Sequence, residues 1–184
     1  MNEVRIPAVP DLRVGVGALV VMWGPPGAGK SYLAAKWLAS FSTPTVYLSA
    51  EEGLGMTVGE RLQRVGAAGR PMTVVGYASI DALAEVCAKT RAKVLLVDSI
   101  TVTTLSPHDV RTLSQNLRLP LTLVVSQVTK EGGLRGSNEL LHEADLGIEV
   151  KEGRWKVAKS RYQALHDAPS GEIFSVPNET PTVH

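Results

Sequence analysis

One segment of this chain reads Gly24-Pro25-Pro26-Gly27-Ala28-Gly29-Lys30-Ser31. It matches the pattern G-x-x-x-x-G-K-[ST] at every fixed position, and it stands between an apolar run and a helical pattern. Glycines let such a loop wrap closely around an anion, so that backbone N–H groups and the positive end of the following helix hold the charge. Residues 24–31, which we call the phosphate loop, are therefore predicted to bind phosphate.

The end of the phosphate loop predicts a nucleotide with a divalent cation. In loops of this pattern the lysine, here Lys30, reaches the β- and γ-phosphates, and the hydroxyl of Ser31 binds Mg²⁺. A second apolar run, residues 94–98, ends in Asp98, whose carboxylate would hold the same ion through water. By itself Asp98 is equally well explained as a capping or turn residue after a buried strand. The two segments together predict binding of ATP with Mg²⁺.

Strand-like and helix-like patterns alternate along the chain. Apolar, β-rich runs predict strands at 18–23, 45–49, 72–75, 94–98 and 121–126. Helical patterns lie between them at 30–41, 58–67, 79–90 and 109–117. Such alternation predicts an α/β fold with a mainly parallel sheet, helices on both faces and ligands beyond the carboxyl ends of the strands.

The pattern changes near the carboxyl end. Short strands are predicted at 148–150, 154–159 and 173–176, with turns at Glu152-Gly153 and Pro169-Ser170-Gly171, as an antiparallel extension of the sheet. Residues 177–184 are expected to form a loose tail, and residues 1–16 an amino-terminal segment that also lies loosely on the surface. At 184 residues, the chain is expected to be a single domain over 1–184.

Composition excludes several classes of protein. With 19 basic and 18 acidic residues the net charge is +1, so any contact with nucleic acid must be local. The only cysteine, Cys87, excludes a disulfide framework and a four-cysteine zinc site, and its helical spacing from Leu83 predicts a buried thiol. Neither a secretory signal nor a membrane-length apolar run is present, so we expect a cytoplasmic protein that does not bind membranes.

Two polar side chains follow predicted strands beside the phosphate loop. Glu51, which we favour over Glu52, is a candidate general base, because hydrolysis needs a group that orients and deprotonates water. The alternative is that both acids are solvated loop residues. Gln127 ends the strand at 121–126 where an amide would sense the γ-phosphate.

Two pairs of cations are candidate binding residues. Lys130 and Arg135 lie in a glycine-rich loop after Gln127, which is suited to change order when the γ-phosphate is lost, or is merely a surface loop. Lys159 and Arg161 lie on the same side of a predicted strand, where they would meet a phosphate. Basic residues on an edge strand also protect against aggregation, which is the alternative for that pair.

Together these motifs resemble the RecA superfamily, most closely the ATPase core of the bacterial RadA/Sms family, with some likeness to DnaB-type helicases. The resemblance implies a RecA-like P-loop NTPase fold, ATP hydrolysis and self-assembly into a ring or filament, with a hexamer favoured. It also implies that Lys159 and Arg161 act across a subunit boundary as finger residues. The residues that carry it are the phosphate loop, Tyr47-Leu48-Ser49-Ala50-Glu51-Glu52, Glu60-Arg61-Leu62, Leu96-Val97-Asp98-Ser99-Ile100, Val128-Thr129-Lys130-Glu131-Gly132 and Lys159-Ser160-Arg161-Tyr162.

The chain departs from RadA/Sms at several positions. It lacks the four-cysteine motif and the protease-like carboxyl-terminal domain, and residues 99–109 carry no lysine or arginine. The family motif Lys-Asn-Arg-Phe-Gly becomes Lys159-Ser160-Arg161-Tyr162-Gln163, and Gln127 stands where RadA/Sms has His and where RecA and DnaB proteins have Gln.

We therefore expect a DNA-stimulated ATPase of recombination, repair or replication, in which Lys130 and Arg135 contact single-stranded DNA. Its partners would be further copies of the chain and replication or recombination proteins. The alternatives are an ATP-gated, KaiC-like assembly or signalling module that does not act on DNA, and a small-molecule kinase.

Overall fold

The computed structural model describes residues 3–127 and 138–174. Its strands are β1 Glu3–Ile6, β2 Val9–Gly15, β3 Ala18–Gly24, β4 Thr45–Ser49, β5 Met72–Val75, β6 Val94–Asp98, β7 Leu121–Gln127, β8 Leu146–Lys151, β9 Arg154–Ser160 and β10 Ser170–Glu172. Its α-helices are α1 Lys30–Ala39, α2 Met56–Arg64, α3 Ile80–Thr90, α4 Pro107–Asn116 and α5 Asn138–Glu143, and short 3₁₀ helices lie at Ile100–Val102 and Leu165–Asp167.

The described strands β3 to β10 form one eight-stranded sheet in the order β10-β9-β8-β3-β7-β6-β4-β5. From β8 to β5 all neighbours run parallel, and β9 and β10 add antiparallel strands beyond β8. The predicted parallel α/β sheet with a carboxyl-terminal antiparallel extension is therefore confirmed. The first strand of that extension, β8, differs from expectation because it pairs parallel with β3.

Helices cover both faces of the sheet. Val20 and Met22 of β3 pack in the same cluster as Trp37 of α1, whereas Val21 packs on the opposite face in the same cluster as Leu83 of α3. Strands buried on both faces read as continuous apolar runs, which explains why the central strands were visible in the sequence. Among the described residues, no helix is long and apolar enough to cross a membrane.

Cys87 lies on α3 with 2% of its surface exposed, which confirms the predicted buried thiol. Burial raises the pKa of this thiol to about 11, because the interior disfavours the thiolate. The thiol therefore stays protonated at neutral pH and acts as a small apolar side chain.

The predicted turn at Pro169-Ser170-Gly171 is wrong, because Ser170 and Gly171 belong to β10, which pairs with β9. A side chain at position 171 would come within 2.9 Å of Trp155 Nε1, so glycine lets the strand pass over the indole. Ile173 and Phe174, predicted to start a strand, instead lie in a bend. Ile173 is 1% exposed there, and its N–H donates to the carbonyl of Gly153 at 2.8 Å.

The amino-terminal segment is not loose over residues 3–15. Strands β1 and β2 form an antiparallel hairpin, and its side chains Ile6, Leu12 and Val14 are buried in the same core as α1. The expected loose tail at 177–184 lies outside the described residues. Alternating apolar residues in 9–15 are the signal that indicates a half-buried strand here.

We predict that Leu12→Ala lowers the free energy of unfolding by about 2–5 kcal/mol, because it leaves a cavity under the hairpin. The matched control is Val16→Ala, which removes a side chain that is 55% exposed and is expected to change stability by about 0.5 kcal/mol or less. Urea denaturation measures both. Equal effects for the two variants would show that the hairpin is not part of the core.

Candidate functional site

The carboxyl ends of the central strands meet at one edge of the sheet. Register pairs Gly24 of β3 with Gln127 of β7, and Ser49 of β4 with Asp98 of β6. Residues predicted separately from the sequence therefore meet here, as parallel topology requires. The pocket at this edge is lined by Pro26, Gly27, Gly29, Lys30, Ser31, Glu51 and Gln127, together with Tyr32, Glu52 and Arg61.

The phosphate loop owes its shape to close packing and to positive backbone angles. A side chain at Gly24 would overlap the carbonyl oxygen of Val150 on β8. Gly29 has φ 94°, a left-handed conformation that favours glycine, and it stands directly before α1. No side chain of the described residues caps the start of α1, which leaves the first N–H groups of the helix for an anion.

Lys30 is held across its own loop. Its ammonium donates to the carbonyl oxygen of Pro25 at 2.8 Å, and the residue is 6% exposed. Burial lowers the pKa of Lys30, while the carboxylates of Glu51 and Asp98 act in the opposite direction. An anion in the loop would give this buried cation a charged partner in place of a neutral carbonyl.

Ser31 and Asp98 form a pair of oxygens at the base of the pocket. Ser31 Oγ donates to Asp98 Oδ1 at 3.0 Å, and Tyr47 OH donates to Asp98 Oδ2 at 2.8 Å. Burial raises the pKa of Asp98, although the hydrogen bonds from Tyr47 and Ser31 and the charge of Arg61 oppose that shift. The pair fits Mg²⁺, which commonly takes one or two protein oxygens and completes its shell with nucleotide oxygens and water.

The two acids after β4 have different partners. Glu51 Oε1 accepts a hydrogen bond from Gln127 Nε2 at 2.8 Å, whereas Glu52 Oε1 lies 2.5 Å from Arg61 Nη2. The backbone N–H groups of Ala50 and Glu51 donate to the carbonyl of Asp98 at 2.7 and 3.3 Å, which fixes this loop to the end of β6. Glu51 is therefore the acid that faces the amide at the pocket.

Tyr47 and Arg61 lie at the site without a role predicted from the sequence. Arg61 Nη1 donates to Tyr47 OH at 3.0 Å and lies 3.8 Å from Asp98 Oδ2. Burial lowers the pKa of Arg61, but its hydrogen bonds and charge interactions with Glu52 and Tyr47 outweigh this and raise it overall. An arginine on a helix and a tyrosine in an apolar strand carry no pattern that would reveal this pairing.

An aromatic pair borders the phosphate loop. The rings of Tyr32 on α1 and Phe174 after β10 have their centroids 5.1 Å apart, and Phe174 is 60% exposed. Ile173 and Phe174 also approach Gly29, where an added Cβ would meet their side chains at 3.1 and 3.3 Å. Because only the tertiary fold brings these distant residues together, no sequence signal indicates the pair.

Comparison with known proteins identifies the architecture. No family model and no curated protein matches the chain. Among solved structures it is similar to the ATPase domain of a DnaB-like helicase, with a TM-score of 0.66, 14% sequence identity and coverage of 86% of this chain and 80% of that chain. The chain has a RecA-like P-loop fold. This confirms the predicted fold, while the closer likeness to RadA/Sms stays a prediction.

Within the RecA-like fold, Lys159 and Arg161 lie at the edge of the sheet opposite the phosphate loop. Ser160 pairs with Leu146, and Leu146 pairs with Val20 near the start of β3. Arg161 Nη2 and Lys159 Nζ both donate to the carbonyl of His142, each at 3.2 Å, and Lys159 also donates to the carbonyl of Leu141. The two cations share one side, as predicted, but they do not join the pocket of their own chain.

Asp145 anchors the arginine of this pair. Its Oδ1 accepts from Arg161 Nη1 at 2.9 Å, and its Oδ2 accepts from Arg111 Nη1 at 2.7 Å and from the N–H of Leu19 at 2.9 Å. Burial and the charge of Arg161 lower the pKa of Lys159. The pair is thus fixed by the fold at an edge strand's end and is not a set of freely solvated charges.

The predicted DNA contacts, Lys130 and Arg135, lie outside the described residues. The loop that contains them begins directly after Gln127, whose backbone N–H donates to Thr101 Oγ1 at 3.3 Å. The segment after Asp98 forms the short 3₁₀ helix Ile100–Val102 and then α4.

Proposed function

We propose that this chain is a Mg²⁺-dependent ATPase that binds ATP at the phosphate loop and hydrolyses its terminal phosphate. The observation that carries the proposal is the pocket itself. Lys30, the pair Ser31 and Asp98, and the pair Glu51 and Gln127 meet in one cleft at the carboxyl edge of the sheet. A RecA-like fold alone would not require an acid and an amide in contact at this position.

The phosphate loop and α1 supply the binding step. Backbone N–H groups of the loop surround the phosphates, and Lys30 exchanges its carbonyl partner on Pro25 for phosphate oxygens. The nucleobase would lie beyond Ser31, against Tyr32 and Phe174, because the loop holds the α- and β-phosphates at the start of α1. Mg²⁺, when bound at Ser31 and Asp98, neutralises charge on the β- and γ-phosphates.

Glu51 and Gln127 supply the chemical step. Gln127 orients the attacking water, since its amide both donates and accepts hydrogen bonds, and a carboxylate oxygen of Glu51 accepts the water's proton. The hydrogen bond from Gln127 to Glu51 holds the acid toward the cleft, while Glu52 is occupied by Arg61. The preference for Glu51 over Glu52 as general base rests on this difference.

We predict that Glu51→Gln lowers kcat by about 10²- to 10⁴-fold while ATP still binds, because the proton acceptor is lost but the phosphate loop is intact. Glu60→Gln on the exposed side of α2 is the matched control and should keep wild-type kcat. Single-turnover hydrolysis and nucleotide binding separate the two steps. Full activity in Glu51→Gln with loss in Glu52→Gln would assign the base to Glu52 instead.

Lys159 and Arg161 are proposed to complete the pocket of a neighbouring chain in a ring or filament, with a hexamer favoured. Their distance from their own phosphate loop supports this. Strand β3 runs between the two edges, and four residues of strand from Val20 to Gly24 span about 13 Å. Any stabilisation of phosphoryl charge by these cations would therefore act between subunits.

We predict that mixing inactive Arg161→Ala with inactive Glu51→Gln restores hydrolysis, because some neighbouring chains then contribute one intact Glu51 and one intact Arg161. Random mixing at equal amounts would restore about a quarter of the interfaces. Mixing Glu51→Gln with Lys30→Ala is the control, since both residues belong to one chain's pocket and no rescue is expected. Absence of rescue at every ratio of the first pair would rule out action between subunits.

The substrate that couples to hydrolysis is proposed to be single-stranded DNA, in recombination, repair or replication, with replication or recombination proteins as partners. Support comes from the position of Gln127, which contacts Glu51 and directly precedes the loop with Lys130 and Arg135. A change at the γ-phosphate would pass to that loop through one residue.

We predict that Lys130→Ala and Arg135→Ala each weaken binding to single-stranded DNA and reduce its dependence on salt, because each removes a phosphate contact. Lys89→Ala on the exposed side of α3 is the control and should change neither. Fluorescence anisotropy over a salt series measures both quantities. Unchanged affinity and salt slope in the loop variants would remove the DNA contact from this loop.

A KaiC-like assembly module is the second candidate. It is favoured by the net charge of +1 and by the absence of lysine and arginine in residues 99–109, both of which weaken the case for DNA binding. An assembly that hydrolyses ATP without responding to DNA would support this function.

A further inference from the structure

Arg61 contacts three groups at the base of the pocket that belong to different elements. From α2, its Nη1 donates to Tyr47 OH on β4 at 3.0 Å and lies 3.8 Å from Asp98 Oδ2 at the end of β6. Its Nη2 lies 2.5 Å from Glu52 in the loop that also carries Glu51. The side chain is 13% exposed, so the guanidinium is largely withdrawn from water. Arg61 thus joins helix, strand and loop beside the Ser31–Asp98 pair.

The hydrogen-bond chemistry of Tyr47 gives this contact a direction. A tyrosine hydroxyl has one proton, and an arginine has only donors. Because Arg61 donates to Tyr47 OH, the proton of Tyr47 is directed to Asp98 Oδ2, at 2.8 Å. With Oδ2 held in this way, Oδ1 is left facing Ser31 Oγ at 3.0 Å. The rotamer of Asp98 therefore depends on a donor that reaches it through Tyr47.

The rest of α2 makes a packing explanation insufficient. Among the described residues of this helix, Val58 is the only buried one, and Thr57, Gly59 and Glu60 are exposed. A long cationic side chain that reaches under the pocket from such a lightly packed helix makes its closest described contacts with Glu52 and Tyr47, both at hydrogen-bond distance. Its planar fork suits simultaneous bonds to a hydroxyl and a carboxylate, which an ammonium cannot copy.

We propose that Arg61 is a positioning residue that acts through Tyr47 to hold Asp98 in the orientation that pairs with Ser31, and through Glu52 to hold the loop of Glu51. The proposal rests on the proposed function, because it concerns the same Mg²⁺ and ATP site. Partners that orient a metal-binding side chain without touching the metal commonly change metal affinity by about 10- to 100-fold. Arg61 and Tyr47 act in series, so loss of either has the same consequence.

The test measures ATP binding by calorimetry at increasing Mg²⁺ and again without Mg²⁺. In Arg61→Gln and in Tyr47→Phe, the Mg²⁺ concentration that half-saturates the enhancement of ATP binding should rise about tenfold, while binding without Mg²⁺ stays within about twofold of wild type. The double variant should match either single variant, because one path is broken. Arg64→Gln, one turn along α2 and 71% exposed, is the matched control and should behave as wild type.

Arg61→Lys should restore part of the Mg²⁺ affinity, because an ammonium still donates to Tyr47. If Arg61→Gln does not fold, Tyr47→Phe and Arg61→Lys decide the question by the same measurement. A wild-type Mg²⁺ dependence in the folded variants, or independent losses that multiply in the double variant, would overturn the proposal. If wild-type protein binds no ATP at all, the proposed function fails, whereas ATP binding with unaltered Mg²⁺ dependence in the Arg61 and Tyr47 variants removes only the role of Arg61.

Discussion

A carboxylate buried at the end of a central strand organises this molecule. Asp98 is 3% exposed, and its two oxygens accept hydrogen bonds from Ser31 on α1 and from Tyr47 on β4. A buried charge is costly unless hydrogen bonds or a cation compensate it. The start of α1, the strand β4 and the helix α2 are therefore held around one point, and the backbone carbonyl of the same residue fixes the loop that carries Glu51.

The sheet separates two charged sites. At its carboxyl edge lie the phosphate loop, Asp98 and the contact between Glu51 and Gln127. At its amino edge Asp145 holds Arg111 and Arg161. One chain thus carries its phosphate pocket and the cation pair of β9 at opposite edges, which is the arrangement expected if neighbouring copies complete each other's sites.

Much of the fold was predictable because its signals are local. Strands such as β6 are buried on both faces and read as apolar runs, and the glycines of the phosphate loop follow a fixed spacing. The amino-terminal hairpin was missed because two short strands with polar residues between apolar ones resemble a loose segment. The strand β10 was placed wrongly because Ser170 and Gly171 are turn formers by composition, and only packing against Trp155 makes them a strand.

The site was predictable to the extent that its chemistry follows strand ends. Asp98, Glu51 and Gln127 were found because parallel strands bring their carboxyl ends together. Tyr47 and Arg61 were not, since their roles depend on distances between elements that no spacing encodes. The same holds for the contact between Tyr32 and Phe174, which depends on where the chain travels after β10.

Steady-state ATP hydrolysis by the purified chain, measured over Mg²⁺ and protein concentration beside Lys30→Ala, tests the central claim most directly. The account predicts hydrolysis that requires Mg²⁺, disappears in Lys30→Ala and rises more than linearly with protein concentration. Hydrolysis that persists in Lys30→Ala, or its absence from wild-type protein at every Mg²⁺ and protein concentration, would contradict it.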